Sequence, residues 1–135
     1  MDSQNTHEIA FIESFVVKQK KLRLLSLVQN RKKFCLLLAH NIELNTKYAH
    51  PLRKGEDNEE QIYKLLRKYG APLICHIICE NSRYDNTEMN LKEVLHELYA
   101  RDFGYIISCI PGNLAYYQGE DSFNKVILLN QSSNV

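Results

Sequence analysis

The chain lacks most of the short sequence motifs that indicate a particular chemical activity. The chain has only five glycines in 135 residues, and it contains neither the glycine-rich pattern of a P-loop nor that of a dinucleotide-binding fold. No Cys and His residues occur at zinc-binding spacing, and no Ser or Cys lies in a nucleophile elbow. No apolar run has the length that a membrane span needs. We therefore predict no cofactor, no metal and no membrane contact, and the sequence leaves open whether the protein is an enzyme.

A secretion signal is also missing from the sequence. The segment Met1 to Thr6 is polar and does not have the basic and then apolar order of a signal peptide. We therefore expect a cytoplasmic protein with reduced thiols. Each of the four cysteines has aliphatic neighbours, which favours core packing. The four are Cys35, Cys75, Cys79 and Cys109.

The composition is that of one globular domain. Hydrophobic residues make up 44% of the chain and charged residues 24%, which excludes disorder of the whole chain. A length of 135 residues is enough to bury a stable core without disulfides. We predict a single domain over residues 1–135, with flexible tails at 1–6 and 131–135.

Charge is the property that is distributed most unevenly. Residues 1–54 hold ten Lys and Arg against four Asp and Glu, whereas residues 55–135 hold seven against twelve. Most of the basic excess lies between Lys18 and Lys33, a stretch without any acid. This basic stretch is typical of a solvated helix face, but it also suits contact with nucleic acid or an acidic partner.

Helical spacing dominates the first half of the chain. Apolar residues from His7 to Gln29 predict one long helix or two short ones, with Ile9, Ile12 and Phe15 on the buried face. A further helix is predicted from Arg31 to about Asn41, after a break at Asn30.

A loop over 42–56 separates these helices from a third predicted helix. Asp57 and Glu60 have the spacing of a capping box at its start, and Gly70 followed by Pro72 ends it.

Strands dominate the second half. The segments Leu73 to Cys79, Tyr105 to Ile110, Leu114 to Gln118 and Lys125 to Asn130 are predicted strands, and a fourth helix capped by Asn90 follows the first of them. The predicted fold is α+β, with N-terminal helices packed on a four-stranded, mostly antiparallel sheet in the order ααα-β-α-β-β-β. The first two strands could form a parallel crossover through that helix. One of Tyr116 and Tyr117 is expected to face the helices and the other to face outward.

The loop from Glu80 to Glu88 is the best candidate for a site, because it joins the end of a buried strand to the start of a helix. It offers three carboxylates, one cation and amide or hydroxyl groups, and a histidine lies just before it. The candidate ligand-binding residues are His76, Glu80, Asn81, Arg83, Asp85 and Glu88. The same acids are also explained as helix caps and surface residues, whose removal would change stability little.

Three functions remain open. The leading hypothesis is a non-enzymatic binding or protein-interaction module, because the clearest patterns serve packing. The first alternative is a metal-assisted hydrolase that uses the Glu80–Glu88 loop with His76. The second is a nucleic-acid-associated protein that uses the Lys18–Lys33 stretch, although a net charge of +1 argues against strong binding of nucleic acid.

The last predicted strand also bears on self-association. Val126, Ile127, Leu128 and Leu129 place aliphatic side chains on both faces of the strand. An exposed edge of this kind would promote aggregation. The strand must therefore lie inside the sheet or be covered by a second copy, and we favour a two-fold homodimer.

Overall fold

The computed structural model describes residues 3–40, 44–101, 103–119 and 125–130. Within these ranges the helices are α1 (Ser3–Phe15), α2 (Lys18–Leu27), α3 (Arg31–His40), α4 (Glu59–Lys68) and α5 (Leu91–Leu98). The strands are β1 (Ala49–Pro51), β2 (Ile74–Cys79), β3 (Thr87–Asn90), β4 (Tyr105–Ile110), β5 (Leu114–Gln118) and β6 (Lys125–Leu129). The α+β class is confirmed, and the first helical region consists of two helices.

The sheet is antiparallel and has six strands instead of the four predicted, in the order β1-β6-β5-β4-β2-β3. The two additional strands are its edges. β1 is only Ala-His-Pro, and proline cannot donate to a strand ladder. β3 is Thr-Glu-Met-Asn, which lies within the predicted loop and helix cap and has no apolar alternation. Edge strands need less apolar sequence than central ones, so neither had a sequence signal.

The predicted parallel crossover between the first two predicted strands is wrong. β2 and β4 are antiparallel neighbours, with His76 opposite Ser108 and Ile77 opposite Ile107. The chain reverses through the β2–β3 hairpin before α5 begins. The helix therefore joins β3 to β4, which run in the same direction on either side of β2.

Helices cover both faces of the sheet. On one face, α1, α2 and α3 pack against alternate strand residues: Ile78, Ile106, Ala115, Tyr117, Val126 and Leu128. On the other face, α4 and α5 pack against their neighbours, among them Ile77, Ile107, Leu114, Tyr116 and Ile127. Both Tyr116 and Tyr117 are buried, so the expected outward tyrosine is wrong. Two helical layers explain why the central strands are apolar on both faces.

The last strand lies inside the sheet. β6 pairs with β5 on one side and with β1 on the other. Val126, Ile127 and Leu128 are buried by the helical layers of this same chain. Burial of each such side chain contributes about 1.5–3 kcal/mol. The internal position therefore explains the apolar sequence without a second copy.

Helix ends follow the capping rules, with one shift. Asn58 caps α4 by accepting a hydrogen bond from the Gln61 amide, so the predicted cap at Asp57 is wrong by one residue. Asn90 caps α5 as predicted, by accepting from the amides of Lys92 and Glu93. Gly70 ends the α4 segment with a φ of 104°, a left-handed conformation that favours glycine. No helix in the described ranges has the length and apolar character needed to cross a bilayer.

Candidate functional site

The six predicted site residues do not converge on one point. The Oε2 atom of Glu80 accepts a hydrogen bond from the Gly104 amide at 2.7 Å, and Asn81 accepts one from the Arg83 amide at 3.0 Å. The Arg83 guanidinium lies 5.6 Å from the Tyr84 ring centroid. These three residues therefore stabilise the loop itself. Among the described residues, no group of three or more His, Cys, Asp or Glu side chains is placed to hold a metal ion.

His76 and Asp85 instead belong to a polar cluster between the sheet and the helices α1 and α3. We call it the His–Arg cluster, and its members are His7, Glu8, Arg31, His76, Asp85 and Ser108. His76 lies on the opposite face of β2 from Cys75 and Cys79, as predicted. Its Nε2 atom is 3.1 Å from Glu8 Oε2, and both side chains are fully buried.

A second histidine covers this pair. The rings of His7 and His76 are stacked, with centroids 5.1 Å apart and planes inclined by 19°. The Nδ1 atom of His7 is 2.7 Å from the Ser108 hydroxyl. Ser108 and Glu88 are the register partners of His76 on β4 and β3. A polar row therefore crosses three strands beneath α1.

Arg31 joins the cluster to the loop. Its Nε and Nη2 atoms donate to the two Asp85 carboxylate oxygens at 2.9 and 2.8 Å, and Nη1 donates to Glu8 Oε1 at 2.6 Å. Nη1 also donates to the Val28 carbonyl, and Nη2 contacts the Cys35 sulfur at 4.0 Å. A guanidinium has five N–H groups. All five therefore have partners inside the protein, and none is left for a ligand.

The Asp85 carboxylate, like the Arg31 guanidinium, is engaged in hydrogen bonds within the protein. Besides Arg31, its Oδ1 atom accepts a hydrogen bond from the Cys79 amide at 3.1 Å. Its side chain is only 9% exposed. The expectation that Asp85 is a surface acid is therefore wrong, because its carboxylate is largely buried and joins the end of β2 to the start of α3.

The ionisation of the cluster follows from burial and its charges. Burial lowers the pKa of Arg31, but its hydrogen bonds to Asp85 and Glu8 outweigh this effect and raise the pKa above its ordinary value. Burial lowers the pKa of His7 below 6.5, and His76 lowers it further, against the opposing effects of Glu88 and Glu8. Arg31 is therefore always charged, and His7 is neutral at physiological pH.

The four cysteines are unpaired and buried, as the sequence predicts. Burial raises the pKa of Cys79 to about 12 and raises that of Cys35 well above its ordinary value. A hydrogen bond with Cys75, together with burial, raises the pKa of Cys109. Thiolates are the reactive form of cysteine. These three thiols stay protonated and are poor nucleophiles.

Sequence reasoning missed Glu8 and Arg31 for different reasons. Glu8, Ile12 and Phe15 have helical spacing and are all buried, whereas Ile9, which was expected on the core face, is 37% exposed. A reading of α1 shifted by one residue would have identified Glu8 as a buried acid. Arg31 had no such signal, since it lies among other cations and its two acidic partners are 23 and 54 residues away.

Part of the basic stretch, Arg23 of α2 and Lys33 of α3, lies on the surface between these two helices, which we call the α2–α3 surface. A cleft of about 460 Å³ lies between the two helices there. Its lining consists of Arg23, Ser26, Leu27, Lys33 and Leu36. A second cleft of about 430 Å³ lies on the other side of Leu36, towards Ser82 and Glu80. Leu36, which is 44% exposed, is therefore an apolar ridge between two clefts.

A larger cleft of about 740 Å³ lies on the opposite side of the sheet, beside β3 and α5. Its rim carries both signs of charge, including Arg83, Lys92, Glu93 and Glu97. Several of these groups are already engaged: His96 Nδ1 is 3.2 Å from Glu59, and the Tyr84 hydroxyl donates to Glu97. This cleft therefore has less unsatisfied charge to offer a ligand than the α2–α3 surface has.

Comparison with protein-family models, with curated proteins and with solved structures finds no match to this chain, so its function is argued from geometry alone.

Proposed function

We propose that this chain is a non-enzymatic protein-interaction module whose α2–α3 surface binds an acidic, amphipathic helix of a partner protein. The observation that carries the proposal is the cleft between α2 and α3, which combines an apolar floor with a cationic rim. Arg23 and Lys33 form this rim, and Leu27 and Leu36 form the floor.

Within the part of the chain that the structure describes, the rim cations Arg23 and Lys33 take part in no ion pair. Arg31 differs from them because Glu8 and Asp85 already neutralise it. Carboxylates of a partner would supply the missing charge, and complementary charge of this kind gives specificity and speeds association.

Exposed leucines favour a protein partner over other polyanions. Leu36, which lines the cleft, is 44% exposed, and Leu27 lines the same cleft. An amphipathic helix places apolar side chains into such a groove at helical spacing. A peptide with leucines on one face and glutamates flanking them therefore matches both features of this surface.

Nucleic acid fits the same surface less well. Successive helix residues are rotated by about 100°, so Lys18 and Lys21 lie on one side of α2 while Lys20 and Arg23 lie roughly on the other. The basic residues do not share one face, as a single phosphate strip would require. Nucleic-acid binding therefore stays an alternative outcome of the test below.

The other sequence predictions have less support. A metal-assisted hydrolase needs at least two of Glu80, Asp85 and Glu88 to converge with His76. Glu80 is instead bound to the Gly104 amide, and Asp85 is bound to Arg31 and the Cys79 amide. The homodimer and the cytoplasmic location stay predictions, and the internal position of β6 removes the original reason for the dimer.

The binding proposal is tested with a synthetic helical peptide of about four turns, with Leu on one face and Glu on its flanks. We expect saturable binding that weakens as salt screens the charges. The double variant Arg23→Glu with Lys33→Glu should raise the Kd about tenfold or more. The matched control reverses two exposed cations elsewhere, Lys54→Glu with Lys68→Glu, and should leave the Kd close to that of the wild type.

The proposal fails if the wild type does not bind the peptide, or if both double variants weaken binding equally. A labelled DNA duplex and a single-stranded RNA serve as competitors in the same assay. Tighter binding of either nucleic acid than of the peptide, lost in the Arg23 and Lys33 variant, would support the nucleic-acid function instead.

A further inference from the structure

We propose that His7, stacked on the buried His76 ring, makes the α1–α3 layer sensitive to acid, so that the α2–α3 surface binds its partner less tightly as His7 takes up a proton. The effect on partner binding rests on the proposed function, whereas the effect of acid on stability does not. The evidence is the geometry of the His–Arg cluster, which does not contact the proposed peptide itself.

The surroundings of His7 disfavour a proton on its ring. The ring is stacked on that of His76 with centroids 5.1 Å apart, and His76 Nε2 lies 3.1 Å from Glu8 Oε2, both side chains fully buried. A positive charge on His7 would therefore lie partly out of water in a layer where the fixed charge of Arg31 already shares Glu8.

The surrounding groups leave little compensation for a positive charge on His7. From α3, Arg31 brings a fixed positive charge and already shares Glu8. From the loop, Asp85 is engaged bidentately by Arg31. From β4, Ser108 offers only a hydroxyl, and from β3, the exposed Glu88 offers a carboxylate in water. Cys35 beside Arg31 is a neutral thiol. Among the described residues, Glu8 is the one buried anion next to both rings, and it is already bound to both Arg31 and His76.

The sign of the effect follows from proton linkage. Burial and the neighbouring His76 lower the pKa of His7 in the folded protein below its ordinary value of 6.5. The unfolded chain therefore takes up this proton first as the pH falls. The contribution to stability is complete above pH 6.5 and is lost as the pH falls from there through the folded-state pKa of His7.

The cluster transmits this loss to the binding surface through Arg31. Arg31 is the first residue of α3. Its guanidinium donates to Glu8 of α1 and to the carbonyl of Val28, the C-cap residue of α2. Lys33 and Leu36 follow on the same helix. When α1 loosens from His76, Glu8 moves with it, and Arg31 loses one of its two carboxylate partners. The helices α2 and α3 are then held less firmly against the sheet.

The stability half is tested without any peptide, by thermal unfolding and by amide hydrogen exchange of α1 and α3 at pH 7.5 and 5.5. We expect the wild-type melting temperature to fall by several degrees at pH 5.5, with faster exchange in α1. His7→Gln, which keeps a polar side chain but does not titrate, should lose much less. His50→Gln, at an exposed position on β1, is the control and should behave as the wild type does.

The binding half uses the same acidic peptide at both pH values. Weaker binding at pH 5.5 in the wild type, with a smaller change in His7→Gln, supports the inference. An equal pH dependence of stability in the wild type and His7→Gln would overturn it. If the wild type binds no peptide at either pH, the proposed function fails with the binding half, and the exchange data still decide whether the layer is acid-sensitive.

A measurement on the wild type tests the inference even if the His7→Gln variant does not fold. Proton NMR of the histidine rings should give a titration midpoint for His7 below 6.5. A midpoint above 6.5 would mean that protonation of His7 stabilises the fold, which contradicts the inference.

Discussion

Asp85 and Glu88 lie three residues apart in the same loop and have very different surroundings. Asp85 accepts two hydrogen bonds from Arg31 and one from the Cys79 amide, whereas the Glu88 side chain is exposed. We expect Asp85→Ala to lower the free energy of unfolding by about 3 kcal/mol, because it leaves Arg31 without its main partner. Glu88→Ala should change it by less than about 0.5 kcal/mol. Urea denaturation of both variants checks this, and equal losses would contradict the assigned role of Asp85.

The residue scale is also where the sequence predicts least. His76 and Asp85 are singled out by sequence, but their partners Glu8 and Arg31 lie far away along the chain. Pairing over such distances depends on how α1 and α3 dock on the sheet. Local patterns contain no information on that docking, so the six candidate site residues and the His–Arg cluster share only His76 and Asp85.

At the scale of single elements, α4 gives a direct test of a corrected boundary. The sequence favours Asp57 as its cap, whereas the Asn58 side chain accepts the hydrogen bond from the Gln61 amide at 2.9 Å. We expect Asn58→Ala to cost about 1 kcal/mol of unfolding free energy. Asp57→Ala should cost less than about 0.5 kcal/mol, since the Tyr99 hydroxyl donates its hydrogen bond to the backbone carbonyl of Asp57, which the substitution keeps. Thermal unfolding of both variants distinguishes the two caps, and a larger loss for Asp57→Ala would restore the original one.

Elements with strong local signals were predicted closely. The observed first residues of β4, β5 and β6 are those predicted from the turns and aliphatic segments. Helix α5 begins directly after its capping asparagine, also as predicted. β1 and β3 were missed because each is short, lies at an edge and contains residues that disfavour strands. Their assignment requires the pairing partner, which a local pattern does not specify.

At the scale of the whole molecule, two layers of helices and an uneven distribution of charge define what is left for binding. The central strands are covered on both faces, so the candidate binding features lie on helix surfaces and at the sheet edges. The basic excess of residues 1–54 is concentrated on α2 and the start of α3. The sequence predicts this excess but not the cleft between the helices, because the cleft depends on the angle at which α2 and α3 pack.

The most direct measurement is a residue-by-residue map of amide chemical shifts during titration with the acidic helical peptide at pH 7.5. The account predicts that the perturbed amides cluster in α2 and α3, centred on Arg23, Lys33 and Leu36. It also predicts that amides beside β3 and α5, such as those of Met89 and Glu93, do not respond. Perturbations that cluster beside β3 and α5, or that are absent throughout, would contradict the claim that the α2–α3 surface is the binding site.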